Sequence, residues 1–211
     1  MYITKVPLRQ YPPPNIIHGV ISAAFPERRN EKQNENLWRI DSIKNENVLL
    51  IVSKLEPLLS VLNNQLGQKA QSLNDKNDNA NIAQTKDYEP YLAAIISGQH
   101  LRFRLCANPV RYEKREEKDV RGKPFACDTE DRQTEWLTKQ SEKYGFVINA
   151  SEVLKNTWTP IKTAGFRAVT FGGILTVTDT DKFQKALRCG IGKEKAYGCG
   201  LLTVIKEREA V

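Results

Sequence analysis

Residues 168–177, AVTFGGILTV, alternate with a period of two: Val169, Phe171, Leu175 and Val177 fall on one face, Thr170 and Thr176 on the other. Such a run is a half-buried strand, and it commits the chain to a sheet with one covered face. Gly172-Gly173 in its middle is a place for a bulge. Thr178 or Asp179 then caps a helix presenting Phe183, Ala186 and Leu187, and a glycine-rich turn leads to a last strand over 201–205.

The preceding chain carries the same order. Tyr2 to Leu8 reads as a strand. After Pro12, Pro13 and Pro14, Asn15 is positioned to cap a helix with Ile16, Ile17, Val20, Ile21 and Ala24 on one stripe, ending near Phe25-Pro26. Strands over 37–43 and 47–53 form a hairpin across Lys44-Asn45-Glu46, and 57–66 is helical. Residues 68–86, rich in Asn and Asp, read as a mobile loop. Beyond it 91–96 and 101–105 are strand-like, 129–144 is a helix with Trp136, Leu137 and Gln140 facing inward, and 146–148 opens another extended stretch. Strand, helix, strand, strand, helix, strand thus occurs twice. The prediction is an α+β chain of two tandem ferredoxin-like (βαββαβ) domains, residues 1–95 and 96–211.

Composition narrows the function classes. With 211 residues, 40% of them hydrophobic, the chain can build a core. No apolar run approaches the roughly 18 to 20 residues of a membrane span, and the start MYITKVPLRQYPPP has no unbroken apolar stretch, so a soluble cytoplasmic protein is expected. Lys and Arg number 32 against 25 Asp and Glu, a net charge of +7, and the excess is local. Residues 101–125 hold eight cations against four acids and residues 182–208 seven against two, leaving the remainder slightly acidic. Two basic segments in the second half suit a polyanionic partner. Cys106, Cys127, Cys189 and Cys199 contain no CxxC pair and His18 and His100 lie far apart, so no zinc site, no other metal and no cofactor is expected, and the cysteines are read as structural thiols.

Three features could carry chemistry. In the stretch CGIGKEKAYGCG (189–200), a GxGxxG dinucleotide fingerprint would need glycine where Lys195 stands, and a P-loop would need a GK[ST] ending. It also follows a helix and opens a strand, the reverse of either motif. Gly190, Gly192, Gly198 and Gly200 with Lys193 and Lys195 leave two readings, a tight structural turn or a cradle for a phosphodiester backbone. In LRFRL (101–105), Arg102 and Arg104 share one strand face. Arg111, Lys114, Arg115, Arg121 and Lys123 follow in a charged loop or hairpin that either enters a nucleic-acid groove or is solvated and salt-bridged. His18, at the flank of the first helix's apolar stripe and one turn before Ser22, has solvent access and a side chain suited to proton transfer.

Taken in order, MYITKV, IIHGVISAAFP with histidine seven residues before phenylalanine, LRFRLCANPV, FGGILTVTD and GIGKEKAYGCGLLTV resemble one family nearly end to end. It is the CasE/Cse3 family, the CRISPR RNA-processing endoribonucleases of the type I-E Cascade complex. The glycine-rich loop followed by GxGLL resembles the wider RAMP superfamily. The resemblance implies two ferredoxin-like domains, recognition of the CRISPR repeat stem-loop, and metal-free cleavage at the stem base. There a 2′-hydroxyl attacks the adjacent phosphorus, leaving a 2′,3′-cyclic phosphate and a 5′-hydroxyl.

By the same resemblance His18 is the general acid or base, and the RFR strand and the 111–123 hairpin grip the RNA stem. Lys162, Arg167, Lys193 and Lys195 would lie along the scissile strand. The enzyme would remain on its product, with CRISPR RNA and the other Cascade subunits as partners. The family often has a tyrosine three residues before the histidine, and here Asn15 stands there. Either Asn15 only caps the helix and another residue, with Tyr11 a candidate, positions the 2′-hydroxyl, or catalysis leans on His18 and nearby cations. A non-catalytic RNA-binding subunit of the same superfamily is the competing class. A nucleotide-binding enzyme built on the glycine-rich loop lacks its motif residues.

Overall fold

A computed structural model describes residues 1–26, 36–43, 46–67, 82–112, 122–161 and 164–207. The chain divides into two compact units: Met1–Ala94 together with Lys195–Gly198, and Ile95–Glu194 together with the residues from Cys199 on. Four residues of the glycine-rich loop, expected in the second half, therefore belong to the first unit.

The first unit runs β1 (Tyr2–Leu8), α1 (Pro14–Ala24), β2 (Leu37–Ile43), β3 (Glu46–Ser53), α2 (Leu59–Gln65), β4 (Gln84–Asp87) and a short α3 (Glu89–Ala93). Its strands pair antiparallel in the order β2-β3-β1-β4, the ferredoxin-like arrangement. Register sets Val6 opposite Leu49 and Trp38 opposite Ile51. Alternation brings these to one face, where they form a core with Ile17, Val20, Ile21 and Ala24 of α1 and Leu62 of α2. Each buried Val, Leu or Ile among them is worth about 1.5–3 kcal/mol over an exposed one, so the α1 stripe fixes the rotation of the helix about its axis. On the opposite face of β2, Arg39 and Asp41 form a buried bidentate pair, with both N–O distances 2.8 Å.

Two expectations fail here. The 68–86 segment is not all loop: Gln84–Asp87 is an edge strand on β1, Thr4 and Thr85 hydroxyls bonding at 2.6 Å across it. Residues 68–81 lie outside the described residues. The strand expected over 91–96 is replaced by α3, whose start carries Glu89 and Pro90, both favoured in a first helical turn.

The second unit runs β5 (His100–Ala107), β6 (Val110–Tyr112), β7 (Pro124–Ala126), α4 (Glu130–Lys143), β8 (Phe146–Ile161), β9 (Ala164–Val177), α5 (Thr180–Cys189) and β10 (Leu202–Lys206). The order β10-β5-β9-β8 repeats the ferredoxin-like arrangement, with the β6–β7 hairpin inserted before α4. Leu101, Phe103, Leu105, Val169, Phe171, Leu175 and Val177 fill the inner face. Trp136 of α4 stacks on Phe171 and Phe183 of α5 meets Phe146 edge-on. Thr129 caps α4, accepting from the Arg132 N–H, and Asp179 caps α5, accepting from the Lys182 N–H.

The register shifts lie in β8, between Ile148 and Ala150 and between Val153 and Lys155, not at Gly172-Gly173 in β9. The glycines have another cause. A Cβ on Gly173, at φ +153°, would stand 2.0 Å from the Ala150 carbonyl oxygen, so the bulged strand approaches where only glycine fits. Among the described residues no helix is long and apolar enough to cross a membrane.

Candidate functional site

Helix α1 starts on Pro14, where a proline's missing N–H costs nothing, and the Pro13 carbonyl accepts from the N–H groups of Ile16 and Ile17. Asn15 is therefore an exposed residue inside the helix and caps nothing, contrary to expectation. Ile16 is also corrected: it is 49% exposed, and the inner stripe is Ile17, Val20, Ile21 and Ala24 alone. His18, adjacent to that stripe, is half-buried, one turn before the half-buried Ser22. Tyr11 precedes the helix and is 53% exposed.

What stands beside His18 is Tyr197. The ring centroids are 6.2 Å apart and tilted by 31°, a normal aromatic-pair distance. Tyr197 ends a single 3-10 turn, Lys195–Tyr197, that packs with α1 and β2 inside the first unit. Two interactions fasten it. The Trp38 indole N–H donates to the Ala196 carbonyl at 3.2 Å, and Gly198, at φ +89°, lies against the six-membered ring of the same indole. A Cβ there would come within 2.7 Å of the ring. The Gly198 N–H closes the turn on the Lys195 carbonyl. Lys195, half-buried, is the one expected RNA-contacting cation in the first unit among the described residues.

The rest of the glycine-rich loop is built as a rigid turn in the second unit. Gly190, Gly192 and Gly200 adopt φ of +73°, +83° and +90°. Ile191 N–H donates to Gly200, and Gly200 N–H to the Cys106 carbonyl. Lys193 Nζ sits 4.8 Å from the centroid of the ring of Tyr112, the last residue of β6, beside exposed Arg111. The loop and β6 thus meet in a cation–π contact.

Arg102 and Arg104 project from the outer face of β5, the first exposed and the second half-buried. Lys123 is exposed just before β7. Arg167, half-buried on β9, donates to Asn156 Oδ1 at 2.9 Å. Lys114, Arg115, Arg121 and Lys162 lie outside the described residues.

The thiols of Cys106 and Cys199 lie 4.0 Å apart and are hydrogen-bonded; that bond first, and burial second, pushes the Cys199 thiol well above its ordinary pKa. Burial likewise raises Cys127, while Cys189 is exposed. Among the described residues no three His, Cys, Asp or Glu side chains gather as a metal site requires.

Sequence reasoning singled out His18 and the glycines but passed over Tyr197. Its only local signal is an aromatic between two glycine pairs, KAY in GIGKEKAYGCG, and its partner is 179 residues away.

The family described as CRISPR associated protein matches residues 1–206. The chain is 28% identical over 230 residues to the CRISPR-associated endoribonuclease Cse3 of Thermus thermophilus, with 97% of this chain and 99% of that protein covered. It is 29% identical over 137 residues to the CRISPR system Cascade subunit CasE of Escherichia coli, covering 59% and 66% of the two chains. Thermus thermophilus Cse3 bound to an RNA representing a pre-cleavage complex superposes with a TM-score of 0.76 at 27% identity, over 97% of this chain and 98% of that one. With matching families, matching length and the same doubled ferredoxin-like architecture, the chain belongs to the CRISPR-associated proteins, in the CasE/Cse3 family.

Proposed function

We propose that this protein is an endoribonuclease that binds the stem-loop of a CRISPR repeat and cuts precursor CRISPR RNA without a metal ion. The observation that carries the reading is His18, held half-buried on α1 against the Lys195–Tyr197 turn. It stands in a chain similar from end to end to a protein named an endoribonuclease, one solved with an RNA described as pre-cleavage. Internal cleavage of RNA needs a proton removed from the 2′-hydroxyl and a proton delivered to the departing 5′-oxygen. An imidazole is the side chain whose ordinary pKa suits both transfers near neutral pH. As the 2′-oxygen bonds to phosphorus the 5′-oxygen leaves, giving a 2′,3′-cyclic phosphate and a 5′-hydroxyl with no oxidant or water consumed. Lys195 on the facing turn supplies a cation for the charge that gathers on the phosphoryl oxygens.

Binding is carried by the second unit. Arg102 and Arg104 on β5, Arg111 on β6, Lys123 before β7, Lys193 near Tyr112 and Arg167 on β9, together with Lys114, Arg115, Arg121 and Lys162 from the same basic stretches of sequence, contact chiefly phosphates and the shape of an A-form stem. Product stays bound, and the protein serves as a subunit of a type I-E Cascade complex, as the name of its Escherichia coli relative suggests.

A second reading, an RNA-binding subunit without cleavage, is favoured by exposed Asn15 at the position of the family tyrosine. Incubation with repeat RNA in EDTA separates the two. The enzyme yields a cyclic-phosphate end, and His18→Ala slows single-turnover cleavage by about 10²- to 10⁴-fold while binding persists. Intact RNA with the wild-type protein refutes the proposal.

A further inference from the structure

An imidazole on a half-exposed helix face can rotate about both of its side-chain torsions, and a proton transfer group that rotates freely loses most of its advantage. His18 therefore needs a wall. The helix offers little: Ile17 and Ile21 face the core, Asn15 and Gly19 are exposed, and the side chain one turn on, Ser22, is small. The ring in contact with His18 is Tyr197, delivered by the 3-10 turn from the far end of the sequence.

That turn is held far more firmly than a loop tip requires. The Trp38 indole that anchors it is only 4% exposed and forms part of the first unit's core, so the position of Tyr197 is tied to the same packing that fixes the rotation of α1. Gly198 allows the backbone to approach that indole closely, and its positive φ turns the chain away directly after Tyr197. Both rings of the pair are thus referenced to one core, α1 through its apolar stripe and the turn through Trp38.

We infer that Tyr197 is a positioning residue for His18: its ring face holds the imidazole in the orientation from which the proton is transferred. On the reading that His18 acts on the RNA, the effect lies in the cleavage step, not in RNA binding. The aromatic ring rather than the phenolic hydroxyl does this, because the two side chains meet ring against ring at 6.2 Å.

The test compares wild type, Tyr197→Phe, Tyr197→Ala and His18→Ala on repeat RNA in single-turnover reactions at saturating protein, with dissociation constants measured separately. Tyr197→Ala should lower the cleavage rate by about 10- to 100-fold, the penalty for loosening a reacting group by an ångström, with its dissociation constant within about two-fold of wild type. Tyr197→Phe should restore the rate. The imidazole proton resonances of His18, assigned by their loss in His18→Ala, should carry a ring-current shift in wild type and Tyr197→Phe that disappears in Tyr197→Ala. Absence of cleavage by the wild-type protein would overturn the proposed function. Cleavage by wild type with Tyr197→Ala equally fast would overturn this inference alone. So would Tyr197→Phe as slow as Tyr197→Ala, since the hydroxyl would then be the acting group, or an unchanged His18 resonance.

Discussion

Replacing Gly198 with alanine should damage the site more than the fold. Two costs are readable. At φ +89° a residue with a Cβ sits in the left-handed region, which costs about 1–2 kcal/mol. The Cβ would also lie 2.7, 2.9 and 3.1 Å from three atoms of the Trp38 ring. Overfilling a packed site of that kind costs about 1–3 kcal/mol. The indole is embedded in the core and cannot yield, so the turn must lift, stretching the 3.2 Å bond from Trp38 to Ala196 and drawing Tyr197 off His18. Gly98→Ala separates the two costs: Gly98 has φ +82°, yet nothing lies within 4 Å of its missing Cβ, so only the backbone cost remains. Urea unfolding should place Gly198→Ala about 2–5 kcal/mol below wild type and Gly98→Ala about 1–2 kcal/mol below. Under conditions where both variants are folded, Gly198→Ala should cleave repeat RNA about 10- to 100-fold more slowly and Gly98→Ala at the wild-type rate. Equal destabilisation by the two substitutions, with unchanged cleavage in both, would refute the claim that Trp38 sets the position of the turn.

The combined substitution of Arg111, Lys114 and Arg115 by alanine should weaken repeat binding and flatten its log–log salt dependence by up to about 0.7–0.9 for each phosphate no longer neutralised; an unaltered slope returns the hairpin to solvent. Asp179, half-buried at the N-cap of α5, has its carboxyl held below the usual range, first by the hydrogen bond with the Lys182 side chain and then by the Lys182 N–H. A depressed folded pKa stabilises the fold at pH above the unfolded value of about 3.9, and that stabilisation disappears as pH falls through the folded value. The difference in melting temperature between wild type and Asp179→Asn should therefore be constant near neutral pH and close in acid; a gap that persists at the acid end contradicts the assignment.

Much of this architecture is legible in the sequence where burial is one-sided. Tyr2–Leu8, Leu37–Ile43 and the core of Ala164–Val177 declare themselves by alternation, and the cap of α5 narrows to Thr178 or Asp179, of which the structure uses Asp179. The failures share a cause. Gln84–Asp87 is an edge strand with no buried side chain, so it carries no apolar alternation and looks like the polar segment before it. Glu89–Ala93 is too short for a helical period to emerge. Asn15 resembles a cap only if Pro14 is taken to end the preceding loop, whereas a proline also serves as a first helical residue. At the candidate site the histidine could be placed from the wheel of α1, because its neighbours on that wheel are local. Tyr197 could not: what brings it there is a hydrogen bond between residues 158 apart and a glycine fitted to a tryptophan, neither of which leaves a periodic trace.

The return of Lys195–Gly198 to the first unit also has a meaning for the newborn chain. At roughly 5–20 residues per second on the ribosome, about 10 to 35 s separate the synthesis of His18 from that of Tyr197. Throughout that interval a nascent polypeptide carries its histidine on an unwalled helix, and any chain that stalls or is clipped before residue 197 carries it permanently so. On the proposed function, RNA cleavage switches on only in molecules translated past residue 197, which already possess the β6–β7 hairpin and β9 that would hold the RNA they cut.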